Sequence, residues 1–334
     1  MSLMQQEARE APQVVARFLK ENASALKQLA MRLRDKQPSV ILTAARGSSD
    51  HAATYFKYLI EILIGVPCAS VGASVASVWH TKLTLNDAVC VTVSQSGQSP
   101  DILALQDAAR KAGALTIAMV NQPNSPAEKA ADFFLPLCAG PEKSVAATKS
   151  YIATLAASAA IAAHWREDKA LLSALDALPE KLEAAAQIQW PDFIATASKA
   201  QSLYVLGRGP GLAIANECAL KMKETCALHA ESLSFAEVMH GPLELVKPGF
   251  PILAFSPNDA ARHTAHEALA RIRKIGAAVH AVEDGGMTFV PTGHQMLDYI
   301  SMVQSAYLNI EALAQRLGRD PDRPKHLSKV TETV

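Results

Sequence analysis

The stretch Ser94-Gln95-Ser96-Gly97-Gln98-Ser99 sets three hydroxyls and a glycine between the apolar run Ala88–Val93 and a segment opening on Pro100-Asp101. Strand, short polar loop and helix start, in that order, aim unpaired backbone N–H groups and the positive end of a helix dipole at one spot, which suits a phosphate. The same letters also fit a plain structural role, with Ser99 capping a helix and Ser94 and Ser96 completing a turn. A second donor loop, Gly47-Ser48-Ser49, follows the apolar run Val40–Ala45 and precedes another helical pattern. In a parallel sheet both loops fall at the carboxyl edge, where ligands of such folds collect.

Further along, Glu217-Cys218-Ala219-Leu220-Lys221-Met222-Lys223-Glu224 reads as a helix that puts Lys221 and Glu224 on one face. An ordinary surface ion pair has that spacing too. His229, Glu231, Glu237 and His240 follow within a short span ending His240-Gly241-Pro242. Neither His229-x-Glu231 nor Glu237-x-x-His240 has a recognised zinc spacing, so neither a metal nor another cofactor is expected. General acid–base chemistry on a bound sugar uses the same groups more economically: a base moves a proton between adjacent carbons and an acid opens a ring.

These groups need a scaffold, and the periodicity supplies one. A helical N-terminus over 5–35 precedes the strand Val40–Ala45, the helix Asp50–Ile64 and the strand Cys68–Val71. Ala88–Val93, Leu115–Val120 and Phe133–Leu137 read as strands, Pro100–Ala112, 147–165 and 169–187 as helices. The second half repeats the alternation, with strands Ser202–Leu206, Pro251–Phe255 and Ala277–Ala281, helices Leu212–Cys226, 260–274 and 297–316, and a helical turn at Ser234–Met239. Arg46-Gly47 corresponds to Arg208-Gly209, Ser94 to Ser256, and Ser74…His80 to Ser234…His240, a tandem duplication joined near 188–198. The fold class is therefore α/β, two mostly parallel sheets each flanked by helices on both faces. The expected divisions are an N-terminal helical segment 1–35, a phosphate-binding domain 36–190, a catalytic domain 195–318 and a tail 319–334 that closes the site. Ser256-Pro257-Asn258-Asp259 loses an N–H to proline and carries a repelling carboxylate, so phosphate binding belongs to the first half.

Lysine and arginine total 32, as do aspartate and glutamate, so nucleic acid and anionic membranes are not indicated partners. The five cysteines lack Cys-x-x-Cys spacing and sit mostly in apolar runs, which suits a reducing cytoplasm. The first twenty residues carry Glu7 and Glu10 and no apolar core, unlike a signal peptide. The Ala-rich 153–163 segment is the nearest approach to a membrane span, and a buried helix accounts for it.

Taken in order, Gly47-Ser48-Ser49, Ser94-Gln95-Ser96-Gly97, Val145-Ala146-Ala147-Thr148-Lys149, Ala219-Leu220-Lys221-Met222-Lys223-Glu224, His229-Ala230-Glu231, His240-Gly241-Pro242 and the tail Pro324–Glu332 closely resemble the tandem sugar isomerase (SIS) domains of glucosamine-6-phosphate synthase, the glutamine–fructose-6-phosphate aminotransferase. The synthase also has a glutaminase domain opening on a nucleophilic cysteine, whereas this sequence opens Met1-Ser2-Leu3 with about 35 residues before its first strand. Glutamine hydrolysis by that route is not expected. The resemblance is therefore nearer to SIS-type, class II glucosamine-6-phosphate deaminases, which implies release of fructose 6-phosphate and ammonia.

The resemblance implies that Gly47, Ser48, Ser49, Ser94, Gln95, Ser96 and Ser99 hold the phosphate and that Val145 and Ala147 lie beside the sugar. His240 matches the ring-opening histidine, which in the family reaches in from a neighbouring subunit and so implies a homodimer. Glu224 matches the base acting between C2 and C1, and Lys221 the lysine assisting it. Lys329 matches the tail lysine that forms a Schiff base in the synthase; with nitrogen already on the substrate, a role in charge and closure is expected instead. Ala147 stands where the synthase has serine, removing a hydrogen bond worth roughly 1 kcal/mol and leaving the preferred amino sugar open. The alternatives are a fructosamine-phosphate deglycase or galactosamine-6-phosphate deaminase on the same scaffold, and a non-catalytic sugar-phosphate sensor. Against the sensor stand Glu224, Lys221 and His240 together, and residues 1–35 hold no helix-turn-helix pattern.

Overall fold

A strand apolar in nearly every residue must be covered on both faces. In the computed structural model, which describes residues 1–327 and Lys329, Ala88–Ser94 is buried at every position and is the middle strand of a five-stranded sheet. In chain order the helices are α1 Leu3–Glu21, α2 Ala23–Lys36, α3 Ser48–Leu63, α4 Ser74–Ser77, α5 Pro100–Lys111, α6 Pro126–Lys129, α7 Lys149–Arg166, α8 Lys169–Ala185, α9 Pro191–Ala197, α10 Pro210–Cys226, α11 Arg262–Lys274 and α12 Gln295–Arg316. The strands are β1 Val40–Ala44, β2 Cys68–Ser70, β3 Ala88–Ser94, β4 Leu115–Val120, β5 Phe133–Pro136, β6 Ser202–Gly207, β7 His229–Ser234, β8 Pro251–Phe255 and β9 Ala278–Val282.

The chain divides into two compact units. One contains Gln13–Glu142 and Lys149–Asp176, with the parallel sheet β2-β1-β3-β4-β5. There α3 packs on α7, and α7 is buried almost all round. Its alanines allow that close approach, so the Ala-rich run is a core helix. No helix among the described residues is long and apolar enough to cross a membrane. The other unit contains Met1–Pro12, Lys143–Thr148 and Ala177–Lys329, with the parallel sheet β7-β6-β8-β9. Here α10 lies against β6, β7 and α12. The two halves share backbone detail: Gly47 (φ 55°, ψ −133°) and Gly209 (φ 56°, ψ −130°) take the same glycine-only conformation just before α3 and α10.

Three expectations are corrected. The helical pattern over 5–35 is two helices, broken at Asn22, whose side-chain amide donates to the Phe18 and Pro136 carbonyls. The helical turn expected over Ser234–Met239 is confined to Glu237–Met239, and Ser234 instead ends an edge strand, His229–Ser234, that runs beside β6. The segment 143–148 precedes α7 as irregular chain, and α7 begins only at Lys149. Of the proposed tail, Ser328 and 330–334 lie outside the described residues.

Candidate active site

In the first unit, β1 and β3 end side by side and deliver the two serine loops to the carboxyl edge of the sheet. Ser48 and Ser49 form the first turn of α3, and Ser99 is the extended N-cap residue of α5 with no side-chain bond to that helix. Both structural and ligand roles coexist in the second loop. Ser94 Oγ accepts from the Gly97 N–H at 2.9 Å and Ser96 Oγ from the Gln98 N–H at 3.3 Å. An oxygen that accepts still has its own O–H to donate. Gly97 is required twice over: its φ is +64°, and a Cβ there would meet Ser125 Oγ at 2.6 Å.

Sequence reasoning missed one charge here. Arg46, half exposed at the end of β1, pairs with Asp101, which is fully buried in the first turn of α5. The pair ties the two loops together and offsets a carboxylate that would otherwise repel an anion at that helix start. The repeated Arg46-Gly47 and Arg208-Gly209 dipeptides were the available signal; the partner lies 55 positions away.

In the second unit, α10 carries a buried charge chain. Lys221, 1% exposed, places Nζ 2.5 Å from Glu224 Oε2 and 3.4 Å from Glu217 Oε1. Glu217 is fully buried and accepts from the Tyr307 hydroxyl of α12 at 2.9 Å. Burial alone pulls the Lys221 pKa down, but the carboxylates of Glu217 and Glu224 outweigh it and hold it above the ordinary lysine value. Lys221 is therefore a fixed cation. The Glu224 side chain is 19% exposed, the one carboxylate of this chain that reaches solvent. A carboxylate held by a locked ammonium, with an open edge, can exchange a proton with a bound molecule.

The other expected residues are more dispersed. His240 is exposed at the junction of two 3-10 turns. His229 and Glu231 point outward from β7, so the run of histidines and carboxylates in the sequence is spread over α10, β7 and the turn after it. Val145 and Ala147 are half-buried in the irregular 143–148 segment, and Lys329 Nζ donates to the Ser144 carbonyl at 2.6 Å.

Each unit is thus a parallel α/β sheet, one carrying serine loops at two helix starts and the other a lysine–glutamate couple on a buried helix. The SIS domain model matches residues 33–164 and 197–292, and the chain belongs to the SIS domain family. It is 33% identical over 304 residues to a glutamine–fructose-6-phosphate aminotransferase of Methanothermobacter thermautotrophicus, covering 86% of this chain and 51% of that protein. The chain thus spans about half the length of the curated relatives it matches. A solved structure from Silicibacter pomeroyi DSS-3, described as a candidate phosphosugar isomerase, is 44% identical with a TM-score of 0.93, covering 96% of this chain and 100% of that one. The C-terminal domain of a glucosamine–fructose-6-phosphate aminotransferase from Francisella tularensis is 25% identical with a TM-score of 0.86, covering 97% of this chain and 98% of that one.

Proposed function

We propose that this protein is a phosphosugar aldose–ketose isomerase whose substrate is an amino-sugar phosphate, and that it converts glucosamine 6-phosphate and water to fructose 6-phosphate and ammonia. The observation that carries the reading is the Glu217–Lys221–Glu224 chain, with Glu224 at its exposed end. A carboxylate with one open edge, held by a buried cation, is the arrangement that a proton-transferring base uses.

Ser48, Ser49, Ser94, Gln95, Ser96 and Ser99, with the backbone at Gly47, hold the phosphate, and Arg46 cancels the Asp101 charge nearby. His240, contributed across a homodimer, passes a proton to the ring oxygen while the C1 hydroxyl loses one, giving the open-chain amino aldehyde. Glu224 takes the C2 proton, the C2–H electrons form a C1–C2 double bond, and the C1 oxygen acquires a proton, giving an enolamine. Lys221 stabilises negative charge on that oxygen as it develops. Glu224 then returns its proton to C1, leaving an imine at C2. Water adds to C2 and the C–N bond breaks, releasing ammonia and the ketose. Lys329 contributes charge at the 143–148 segment, where Val145 and Ala147 lie beside the sugar.

The test is to incubate purified protein with glucosamine 6-phosphate, without glutamine, and to assay ammonia and fructose 6-phosphate, with galactosamine 6-phosphate and a fructosamine phosphate in parallel. Equal release of both products from glucosamine 6-phosphate supports the reading. Faster turnover of another amino sugar keeps the isomerase chemistry and changes the substrate. Binding with no turnover of any of the three overturns the enzyme reading in favour of a sensor.

A further inference from the structure

The segment 143–148 has neither helix nor strand to satisfy its backbone, so its N–H and C=O groups must be met from elsewhere. They are met from both ends of the chain. The Glu7 carboxylate on α1, only 4% exposed, accepts from the Lys143 N–H at 2.5 Å and the Ser144 N–H at 3.1 Å. Asp322, beyond α12, accepts from the Ser144 hydroxyl at 3.3 Å. The same carboxylate also caps the first turn of α1, accepting from the Leu3 N–H at 2.6 Å and the Met4 N–H at 2.8 Å. Lys329 completes the set through the Ser144 carbonyl. Ser144 is thus held by its N–H, its hydroxyl and its C=O, each to a different residue, two of them carboxylates and the third a lysine, the side-chain types that make the stronger hydrogen bonds.

We propose that Glu7 and Asp322 are positioning residues for substrate binding: they fix the Lys143–Thr148 segment so that Val145 and Ala147 present their backbone and side chains to the sugar. The inference rests on the functional reading above for what Val145 and Ala147 touch, and on the hydrogen bonds alone for what holds them. It also gives the first helix and the last residues of the second unit a shared task, since Asp322 joins α1 to the segment directly. An N-terminal helix far from the reacting atoms in sequence then sets affinity without taking part in proton transfer.

Glu7→Gln keeps the volume but can accept from only one of the two N–H groups, and Asp322→Asn likewise weakens the hydroxyl and capping bonds. For each variant, amide exchange of the 142–149 peptide, the dissociation constant for fructose 6-phosphate, and KM and kcat for glucosamine 6-phosphate are measured. Asp298→Asn serves as the control, because Asp298 is a buried carboxylate of the same unit that accepts from the Thr292 N–H and hydroxyl. Expected are exchange at 143–144 faster by about tenfold, KM and the dissociation constant raised about tenfold, and kcat within about twofold. Asp298→Asn lowers thermal stability and leaves KM unchanged. Faster exchange with unchanged affinity, or equal changes in the control, overturns the proposal. A wild-type protein that binds fructose 6-phosphate but turns over no amino sugar ends the functional reading while the affinity comparison still decides this one.

Discussion

Removing the charge of Lys221 while keeping its length, as Lys221→Met does, leaves Glu217 and Glu224 facing each other without the cation between them. At an effective dielectric of about 20, contacts of 2.5 Å and 3.4 Å correspond to roughly 7 and 5 kcal/mol of gross attraction. Most of that is cancelled by the cost of desolvating three ions, so the measurable quantity is the penalty for breaking a buried pair, about 3–5 kcal/mol. That corresponds to a Tm lower by roughly 6–20 °C. The pH dependence has a definite sign. The raised Lys221 pKa means its stabilisation is complete below the unfolded lysine value of 10.5 and is lost as pH rises through the folded value. Thermal denaturation followed by circular dichroism should therefore show the full deficit of the variant, relative to wild type, at pH 8, and a smaller one only as pH rises past 10.5. A loss below about 1 kcal/mol at pH 8 refutes this account of the cluster.

Gly97→Ala forces a side chain onto a positive-φ residue already crowded by Ser125, and should raise the dissociation constant for inorganic phosphate or a phosphosugar by at least about fivefold in titration calorimetry. Tyr307→Phe leaves one Glu217 oxygen without its hydroxyl donor and should cost about 1–3 kcal/mol in urea unfolding. Burial works to raise the Asp132 pKa, but bonds from the Thr116 N–H and hydroxyl prevail and hold it below the usual carboxylate range. Its stabilisation is present above the unfolded value of 3.8 and lost as pH falls through the folded one, so Asp132→Asn should flatten the acid limb of the stability curve.

Local pattern carried much of this molecule. The two-sided apolar run of β3, the proline opening α5 and the i, i+3 spacing of Lys221 and Glu224 each specify their own structure, and all three are found. Strand β7 was not legible because His-Ala-Glu-Ser-Leu-Ser has no β-branched residue; only its pairing with β6 makes it a strand. The break at Asn22 depends on the Pro136 carbonyl, 114 positions away. Tyr307 reaches Glu217 across 90 positions, and Glu7 reaches Lys143 across 136. Such contacts follow from tertiary packing, and no window of sequence contains both partners.

The central claim is that Glu224 moves a proton between adjacent carbons of a bound phosphosugar. Fructose 6-phosphate in deuterium oxide, incubated with the protein and followed by proton NMR, tests it without reference to ammonia. The account predicts exchange of one of the two C1 protons with wild-type protein, and none with Glu224→Gln despite a dissociation constant within about threefold of wild type, since that substitution loses the base while keeping its shape. Exchange by Glu224→Gln at the wild-type rate would contradict it.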